Sequence, residues 1–231
     1  MQLLSQRLLA VASLATAGDC VADVGTDHGY IPIYLLEQGK YEKAIAMDLR
    51  KGPLMRAREN RDLHGLTDRM DLRLGDGVLA LKPGEADTVV IAGMGGGLVV
   101  KILTEGAEIL AGIRKLVLQP QSELTKVREF LETFEYRIEE EHMVLEDGKY
   151  YPMMRVVHGT MEPMDQLEKK YGPLLLKEKH PCLRQFLDWE EKKLFKIQHS
   201  LLLQPGERTM QRLKEVEEDL ADIKTAKERM I

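Results

Sequence analysis

The chain has 231 residues, of which 44% are hydrophobic and 31% charged, and its 19 glycines and 9 prolines are spread along it. This composition excludes disordered, collagen-like and low-complexity chains, and predicts one domain with an appendage or two small domains. A formal net charge of −5 excludes a histone-like coating of nucleic acid, so nucleic-acid binding would need a local basic patch.

An apolar run from Leu8 to Ala17 follows Arg7 and imitates a short secretion signal. We interpret it as a helix, because apolar residues recur there at helical spacing and the chain then leads directly into a predicted strand. The recurring apolar positions are Leu4, Leu8, Val11, Ala12 and Ala15. No segment is apolar over the roughly 18 residues that predict a membrane span.

Apolar runs typical of strands alternate with helical segments over residues 20–119, which predicts a parallel sheet with crossover helices. The predicted strands span residues 20–24, 44–49, 70–74, 88–92 and 115–119, and the predicted helices residues 32–38, 53–64 and 97–111. Pro32 and Pro53 suit the first turn of a helix, where a missing N–H removes no hydrogen bond.

A helix over residues 122–133 is predicted next, followed by two antiparallel strands near residues 136–145 and 150–157 with a turn at Asp147-Gly148. Five parallel strands, a helix and a terminal antiparallel hairpin form the α/β order of a class I methyltransferase with a Rossmann-like sheet. A dinucleotide dehydrogenase more often continues with further parallel βα units.

Strand patterns end at Pro163, and two helices are predicted over residues 184–203 and 205–231, with a break at residues 204–206. A narrow apolar seam on each predicts an antiparallel coiled coil. Residues 164–231 carry 14 basic and 13 acidic side chains, against 19 basic and 25 acidic ones in residues 1–163. We therefore predict a methyltransferase domain over residues 1–160 and a more basic, helical coiled-coil domain over residues 164–231.

The first predicted strand runs into Asp23-x-Gly25-x-x-x-Gly29, a strand-to-helix turn where glycines let a ligand approach the backbone. Position 27 is Asp, which departs from the dinucleotide fingerprint GxGxxG. A carboxylate there repels a pyrophosphate but favours the sulfonium and amino group of S-adenosylmethionine.

Acidic or glycine-rich turns also follow the next three predicted strands. Asp48 is placed to accept the ribose hydroxyls, Asp76-Gly77 to accept the adenine amino group, and residues 92–97 to meet the methyl acceptor. A single Asp at a strand end is often only a turn or helix cap. Four such turns in order, each at the carboxyl end of a strand, predict one ligand site.

The segments DVGTDHGYIP, MDL, GDG, AGMGGG and LQPQ, with an N-terminal LSQRL helix and a C-terminal helical pair, resemble the TrmK family of bacterial tRNA (adenine22-N1)-methyltransferases. The resemblance covers essentially the whole chain. It implies an S-adenosylmethionine-dependent Rossmann-like domain, a coiled-coil domain and methylation of N1 of one adenosine in the D-loop region of tRNA.

The resemblance also implies which residues contact the cofactor: Asp23, Gly25, Thr26, Asp27, Gly29, Asp48, Leu49, Asp76, Gly77, Ala92, Gly93 and Met94. Residues 93–96 occupy the place where many amino-directed methyltransferases have an (Asn/Asp)-Pro-Pro-(Tyr/Phe) tetrad. The tetrad's acceptors hold an exocyclic amine whose lone pair is delocalised. Adenine N1 already has an in-plane lone pair, so a roomy glycine turn suffices to orient it.

Three residues of the first turn are the predicted catalytic groups. We expect Asp27 to stabilise the positive charge that the methylated base acquires, His28 to accept a proton or a hydrogen bond, and Tyr30 to stack on the base. The alternative interpretations are a helix cap for Asp27, a structural histidine for His28 and a core position for Tyr30.

Arg7, Lys101, Gly95 and Gly96 are the predicted substrate contacts near the pocket. A basic helical face is predicted to grip RNA, and its residues are Lys177, Lys179, His180, Arg184, Lys192, Lys193, Lys196 and His199. The alternative interpretation of these charges is an ordinary solvated helix surface. If the face binds tRNA, the affinity falls with salt.

Other functions remain open on the sequence alone. A methyltransferase of a small molecule, protein or ribosomal RNA, a non-catalytic cofactor-binding scaffold and an NAD-dependent oxidoreductase are the alternatives. The two cysteines, Cys20 and Cys182, lack zinc-site or disulfide spacing, which favours a reducing cytoplasm and no metal. A seam that is filled within one hairpin favours a monomer, and the lack of a long apolar segment favours a protein without a membrane span.

Overall fold

The computed structural model describes residues 4–203 and 206–231, and the chain divides into two compact units, residues 1–163 and 164–231. The helices of the first unit are α1 (Gln6–Leu14), α2 (Tyr30–Glu37), α3 (Lys51–Leu63), α4 (Gly96–Glu105), α5 (Ala107–Leu110) and α6 (Leu124–Thr133). Its strands are β1 (Gly18–Val24), β2 (Tyr41–Asp48), β3 (Met70–Leu74), β4 (Thr88–Met94), β5 (Lys115–Pro120), β6 (Tyr136–Glu146) and β7 (Lys149–His158).

The seven strands form one sheet in the order β3-β2-β1-β4-β5-β7-β6. The first five strands pair in parallel, and β7 pairs antiparallel with both β5 and β6. The predicted α/β class, with a mostly parallel Rossmann-like sheet and a terminal hairpin, is confirmed. The central strands β1, β4 and β5 are almost continuously apolar and buried, as expected for strands with helices on both faces.

The terminal hairpin turns through two residues. Asp147 and Gly148 have φ angles of 49° and 73°, the left-handed pair that matches the twist of a two-residue hairpin loop. The turn that the Asp-Gly dipeptide predicts is therefore confirmed.

A fully buried ion pair connects α6 to the hairpin. The guanidinium of Arg128 donates from Nε and Nη2 to Oε1 of Glu141, at 3.1 and 2.8 Å, and both side chains are completely enclosed. Removing one partner would leave a buried charge without compensation. The pair therefore fixes α6 against β6.

The prediction of one continuous helix over residues 97–111 is wrong. The helix ends at Glu105 and restarts at Ala107, because Gly106 between them has a non-helical ψ of 9°. Gly106 also packs so closely on Val78 that a Cβ would lie 2.0 Å from its Cγ2. At the N-terminus, α1 is shorter than the apolar spacing suggests, since Ser5 caps it by accepting from the N–H of Leu8 at 3.3 Å.

The second unit contains α7 (Gln166–Tyr171), α8 (Pro173–Lys177), α9 (Pro181–Leu202) and α10 (Glu207–Arg229). The ends of α9 and α10 pair in antiparallel fashion, with Lys227 Nζ 2.6 Å from Asp188 Oδ1 and 2.8 Å from Glu191 Oε2. Residues 204 and 205 of the predicted break lie outside the described residues. No helix within residues 4–203 or 206–231 is long and apolar enough to cross a membrane.

Candidate functional site

A cavity of about 590 Å³ opens at the carboxyl ends of β1, β2 and β4. At this position β1 pairs with β2 on one side and with β4 on the other. The chain segments that follow β1 and β4 therefore leave the sheet in opposite directions, and the crevice between them is where ligands bind in parallel α/β sheets. The predicted site residues that line it are Arg7, Asp23, Gly25, Asp27, His28, Tyr30, Asp48, Leu49, Asp76, Gly77, Ala92, Gly93 and Met94.

Two buried carboxylates lie at neighbouring strand ends in the cavity wall. Burial, the largest cause, and the nearby Asp48 together raise the pKa of Asp23 to about 6. Asp48 is also buried, and its Oδ1 accepts from the backbone N–H of Arg50 at 2.7 Å. The two acids favour a ligand that brings positive charge or hydroxyl donors.

Thr26 and Gly29 were predicted to contact the ligand but do not line the cavity. The Thr26 hydroxyl is buried and has no hydrogen-bond partner in the described part of the chain. Gly29 has a φ of 69° and forms the N-cap of α2, where no side chain caps the helix. The interpretation of Asp27 as a helix cap is therefore not supported.

Gly25 makes room for Met94 in the cavity wall. It has a φ of 72°, and a Cβ at this position would lie 2.1 Å from Cε of Met94. A side chain at residue 25 would therefore be strained and would displace Met94.

His28 and Tyr30 form a stacked pair at the cavity. Their ring centroids are 5.0 Å apart and their planes differ by 4°. His28 has a φ of 67°, which is uncommon for a residue other than glycine, and Asn60 Nδ2 donates to its carbonyl oxygen at 2.8 Å. Tyr30 is half-buried and lines the cavity.

Asp27 lies at the cavity but is paired with a cation. Its Oδ1 accepts from Arg56 Nη2 at 2.6 Å and is 3.6 Å from His28 Nε2. The Asp27 side chain is 64% exposed, so water screens its charge.

The β4–β5 side of the cavity is organised by Gln119, which is completely buried. Its Oε1 accepts from the backbone N–H of Gly93 at 3.1 Å and from Arg7 Nη1 at 3.0 Å. The Arg7 guanidinium also lies 5.5 Å from the centre of the Tyr151 ring. Arg7 is therefore held in place beside Gly93.

Lys101 and the glycines at 95 and 96 do not line the cavity. Lys101 Nζ lies 3.7 Å from Asp76 Oδ2 and 3.5 Å from Glu105 Oε2, which partly neutralises its charge. The N–H of Gly96 donates to the carbonyl of Ser122 at 3.1 Å, and a Cβ on Gly96 would lie 2.4 Å from that oxygen. This part of the glycine run allows α4 to approach the segment after β5.

The predicted RNA contacts Lys192, Lys193 and Lys196 are exposed on α9 of the second unit. Lys193 Nζ donates to Glu190 at 3.1 Å and lies 5.0 Å from the centre of the Trp189 ring. Exposed lysines beside an aromatic ring suit both phosphate contacts and base stacking.

Several lining residues were not predicted from the sequence, among them Leu8, Arg50, Leu98, Ile102 and Gln121. Gln121 directly follows β5, so the rule that ligands bind at strand ends would have identified it. The described residues contain no group of three or more His, Cys, Asp or Glu side chains that could hold a metal ion.

Comparison with known proteins identifies relatives that match most of the chain. Residues 21–225 match the family model TrmK, tRNA (adenine(22)-N(1))-methyltransferase. The tRNA (adenine(22)-N(1))-methyltransferase of Bacillus subtilis (strain 168) is 37% identical over 182 residues, which cover 77% of this chain and 76% of that protein.

Two solved structures are similar over nearly their full length. A Streptococcus pneumoniae protein, Sp1610, in complex with S-adenosyl-L-methionine has a TM-score of 0.86 and 32% identity, covering 97% of this chain and 99% of that one. M. capricolum TrmK in complex with S-adenosyl-homocysteine has a TM-score of 0.86 and 26% identity, covering 99% of each chain.

We expect Asp23→Asn to raise the free energy of unfolding at pH 7 by about 1 to 3 kcal/mol, because it removes a buried carboxylate. Because the pKa is raised, the folded chain binds more protons than the unfolded chain between pH 3.8 and about 6. The free energy of unfolding therefore falls as the pH rises through this range. Urea unfolding followed by circular dichroism at pH 4 to 8 measures both effects.

The exposed Asp68 provides the control, since Asp68→Asn removes one negative charge without relieving burial. The variant Asp23→Asn should show a shallower decline of stability over the acidic range, and Asp68→Asn should follow the unsubstituted chain. An Asp23→Asn protein that is less stable than the unsubstituted chain at pH 7 would contradict the destabilising role of the buried charge.

Proposed function

Because the chain belongs to the TrmK family of tRNA (adenine(22)-N(1))-methyltransferases, we propose that it transfers the methyl group of S-adenosyl-L-methionine to N1 of adenosine 22 in the D-loop region of tRNA. The observation that carries this proposal is the cavity at the reversal of strand order, with Asp23, Asp48 and Asp76 at the carboxyl ends of three successive strands. A family match over residues 21–225 includes all three acids.

The cavity residues fit S-adenosyl-L-methionine. The buried carboxylate of Asp23 and the first turn suit its cationic methionine part, and Asp48 is placed to accept the ribose hydroxyls. Asp76 is half-exposed and can accept from the adenine amino group, while Leu49 and Leu98 provide apolar surface for the ring. A positive ligand also offsets the repulsion between the two buried acids.

S-adenosyl-L-methionine supplies an electrophilic methyl group, and adenine N1 supplies the lone pair for a direct displacement. The protein's contribution is then to position the base and to stabilise its new positive charge. The end of β4, where Gly93 lacks a side chain, leaves space for the base beside Arg7. A target adenine within folded tRNA has to leave its stack before it can enter this cavity.

The direct test is to incubate the purified protein with labelled S-adenosyl-L-methionine and unmodified tRNA transcripts, then to map the product by mass spectrometry. We expect one N1-methyladenosine, at position 22, and no methylation of a transcript with guanosine at that position. Methylation of another position, or of protein or ribosomal RNA instead, would overturn the proposed substrate.

We propose that Asp27 stabilises the methylated base and that His28 and Tyr30 form the surface on which the base stacks. The Asp27 carboxylate lines the cavity, and the His28–Tyr30 pair presents aromatic faces beside it. Arg56 offsets only part of the negative charge of Asp27, because water screens the interaction between these two exposed side chains.

Asp27→Asn should lower kcat by about tenfold, less than the loss of a fully enclosed electrostatic group, because this carboxylate is largely exposed. The dissociation constant for S-adenosyl-L-methionine, measured by calorimetry, should change little. Asp62→Asn is the matched control, because Asp62 is also an exposed acid paired with an arginine, Arg61. Normal turnover in Asp27→Asn would refute the electrostatic role.

We further propose that residues 1–160 form the methyltransferase domain and residues 164–231 an RNA-gripping helical domain with a coiled-coil pair, acting as a cytoplasmic monomer. The division of the chain after residue 163 supports the boundary. Within the second unit, α9 and α10 pack against each other, and the apolar seam between them is buried without a second chain. The buried seam residues are Leu187, Leu194, Val216 and Ile223.

Replacing Lys192, Lys193 and Lys196 with alanine should weaken tRNA binding and reduce the slope of log affinity against log salt by up to about 3, since each phosphate contact contributes about 0.9. Filter binding at several salt concentrations measures both values. The control replaces three exposed lysines of the first unit: Lys43, Lys82 and Lys149. Equal losses in the two triple variants would show that α9 has no special role.

A further inference from the structure

We propose that Gln121 recognises the target adenine by its N6 and N7 atoms, so that N1 remains free for methylation. This inference rests on the proposed function and assigns the base specificity of its acceptor site. It follows from the position of Gln121, from the lack of a hydrogen bond to its side-chain amide among the described residues, and from the hydrogen-bonding pattern of adenine.

Gln121 is fixed beside the turn where the methyl acceptor is expected. Its backbone N–H donates to the carbonyl of Met94 at 2.8 Å, which joins the end of β5 to the end of β4. Its side chain lines the cavity, and Nε2 lies 3.8 Å from the position that a Cβ on Gly93 would occupy. The absence of that Cβ leaves room between the amide and the backbone of Gly93.

The other polar groups at this end of the cavity are already engaged. The Gln119 oxygen accepts from Gly93 and from Arg7, and Arg7 in addition lies over Tyr151. In contrast, the hydrogen bonds of the described residues use the backbone of Gln121 and leave its side-chain amide without a partner.

An amide is the side chain that complements adenine while leaving N1 unbound. Adenine presents a donor at N6 and an acceptor at N7, and a glutamine matches them with Oε1 and Nε2. A guanidinium such as that of Arg7 has only donors, and an ionised carboxylate has only acceptors. Among the described residues that line the cavity, Gln121 is the one with a side-chain amide.

The same pairing excludes the other bases. Guanine presents two acceptors, O6 and N7, so Oε1 of Gln121 would face an acceptor and lose its hydrogen bond. Pyrimidines lack N7 altogether. Since a polar group that the bound base covers and leaves without a partner weakens binding, the amide selects adenine over guanine at this position.

The test uses tRNA transcripts assembled by ligation, with either adenosine or 7-deazaadenosine at position 22. The second base keeps N1 and N6 but has carbon in place of N7. With the unsubstituted protein, we expect kcat/KM to be about five- to a hundredfold lower for the 7-deaza transcript, the range for a bidentate contact between glutamine and adenine. Equal rates on the two transcripts would overturn the inference.

Two variants connect the effect to Gln121. Gln121→Leu should lower kcat/KM on the adenosine transcript by a similar factor, and 7-deaza substitution should then cause little further loss. Gln121→Glu keeps an acceptor for N6 but places a negative charge against the N7 lone pair, so it should prefer the 7-deaza transcript. If the losses from Gln121→Leu and from 7-deaza substitution multiply, the two groups do not interact and the inference is wrong.

The controls separate a failed contact from a failed fold or a failed function. Gln38 is an exposed glutamine at the end of α2, and Gln38→Leu should behave as the unsubstituted protein on both transcripts. The affinity of Gln121→Leu for S-adenosyl-L-methionine should be unchanged, because Asp23 and Asp48 remain intact. If the unsubstituted protein methylates neither transcript, the proposed function itself fails, whereas methylation that ignores N7 removes only the role of Gln121.

Discussion

The pairing of β1 with β2 on one side and β4 on the other is the constraint on which the site depends. It places Asp23 and Asp48 at adjacent strand ends and brings the glycine turn after β4 to the opposite side of the same cavity. Because these strands are buried on both faces, polar side chains can reach solvent only where the strands end. The core and the ligand site are therefore consequences of one strand order.

That arrangement carries an energetic conflict. Burial, together with the nearby Asp48, raises the pKa of Asp23 to about 6, so this acid opposes folding near neutral pH. The buried pair Arg128–Glu141 shows the other solution, in which each charge has a partner inside the protein. At Asp23 the positive partner would come from the ligand, so binding would relieve a cost that the fold alone leaves in place.

The sequence predicted the elements whose patterns are local and strong, namely the strands, the Asp147-Gly148 turn and the acids at strand ends. It failed where the outcome depends on distant partners. Gly106, which separates α4 from α5, packs tightly against Val78 in a contact that no local pattern reveals, and α7 and α8 are too short for periodicity to detect. Likewise, the backbone N–H of Gly96 donates to Ser122 and the Lys101 ammonium pairs with Asp76, and no spacing rule identifies these partners.

The two sides of the cavity differ in chemistry in a way that matches the two partners of an N1 methylation. One side holds carboxylates, which suit a cationic donor, and the β4–β5 side holds Gln121 and Arg7, which suit a neutral base and its phosphates. A tetrad that accepts from an exocyclic amine would compete for N6 and draw the amine, not N1, toward the methyl group. Glycine at 93 removes such a side chain from the turn, and the adjacent amide can then hold N6 on the far side of the base.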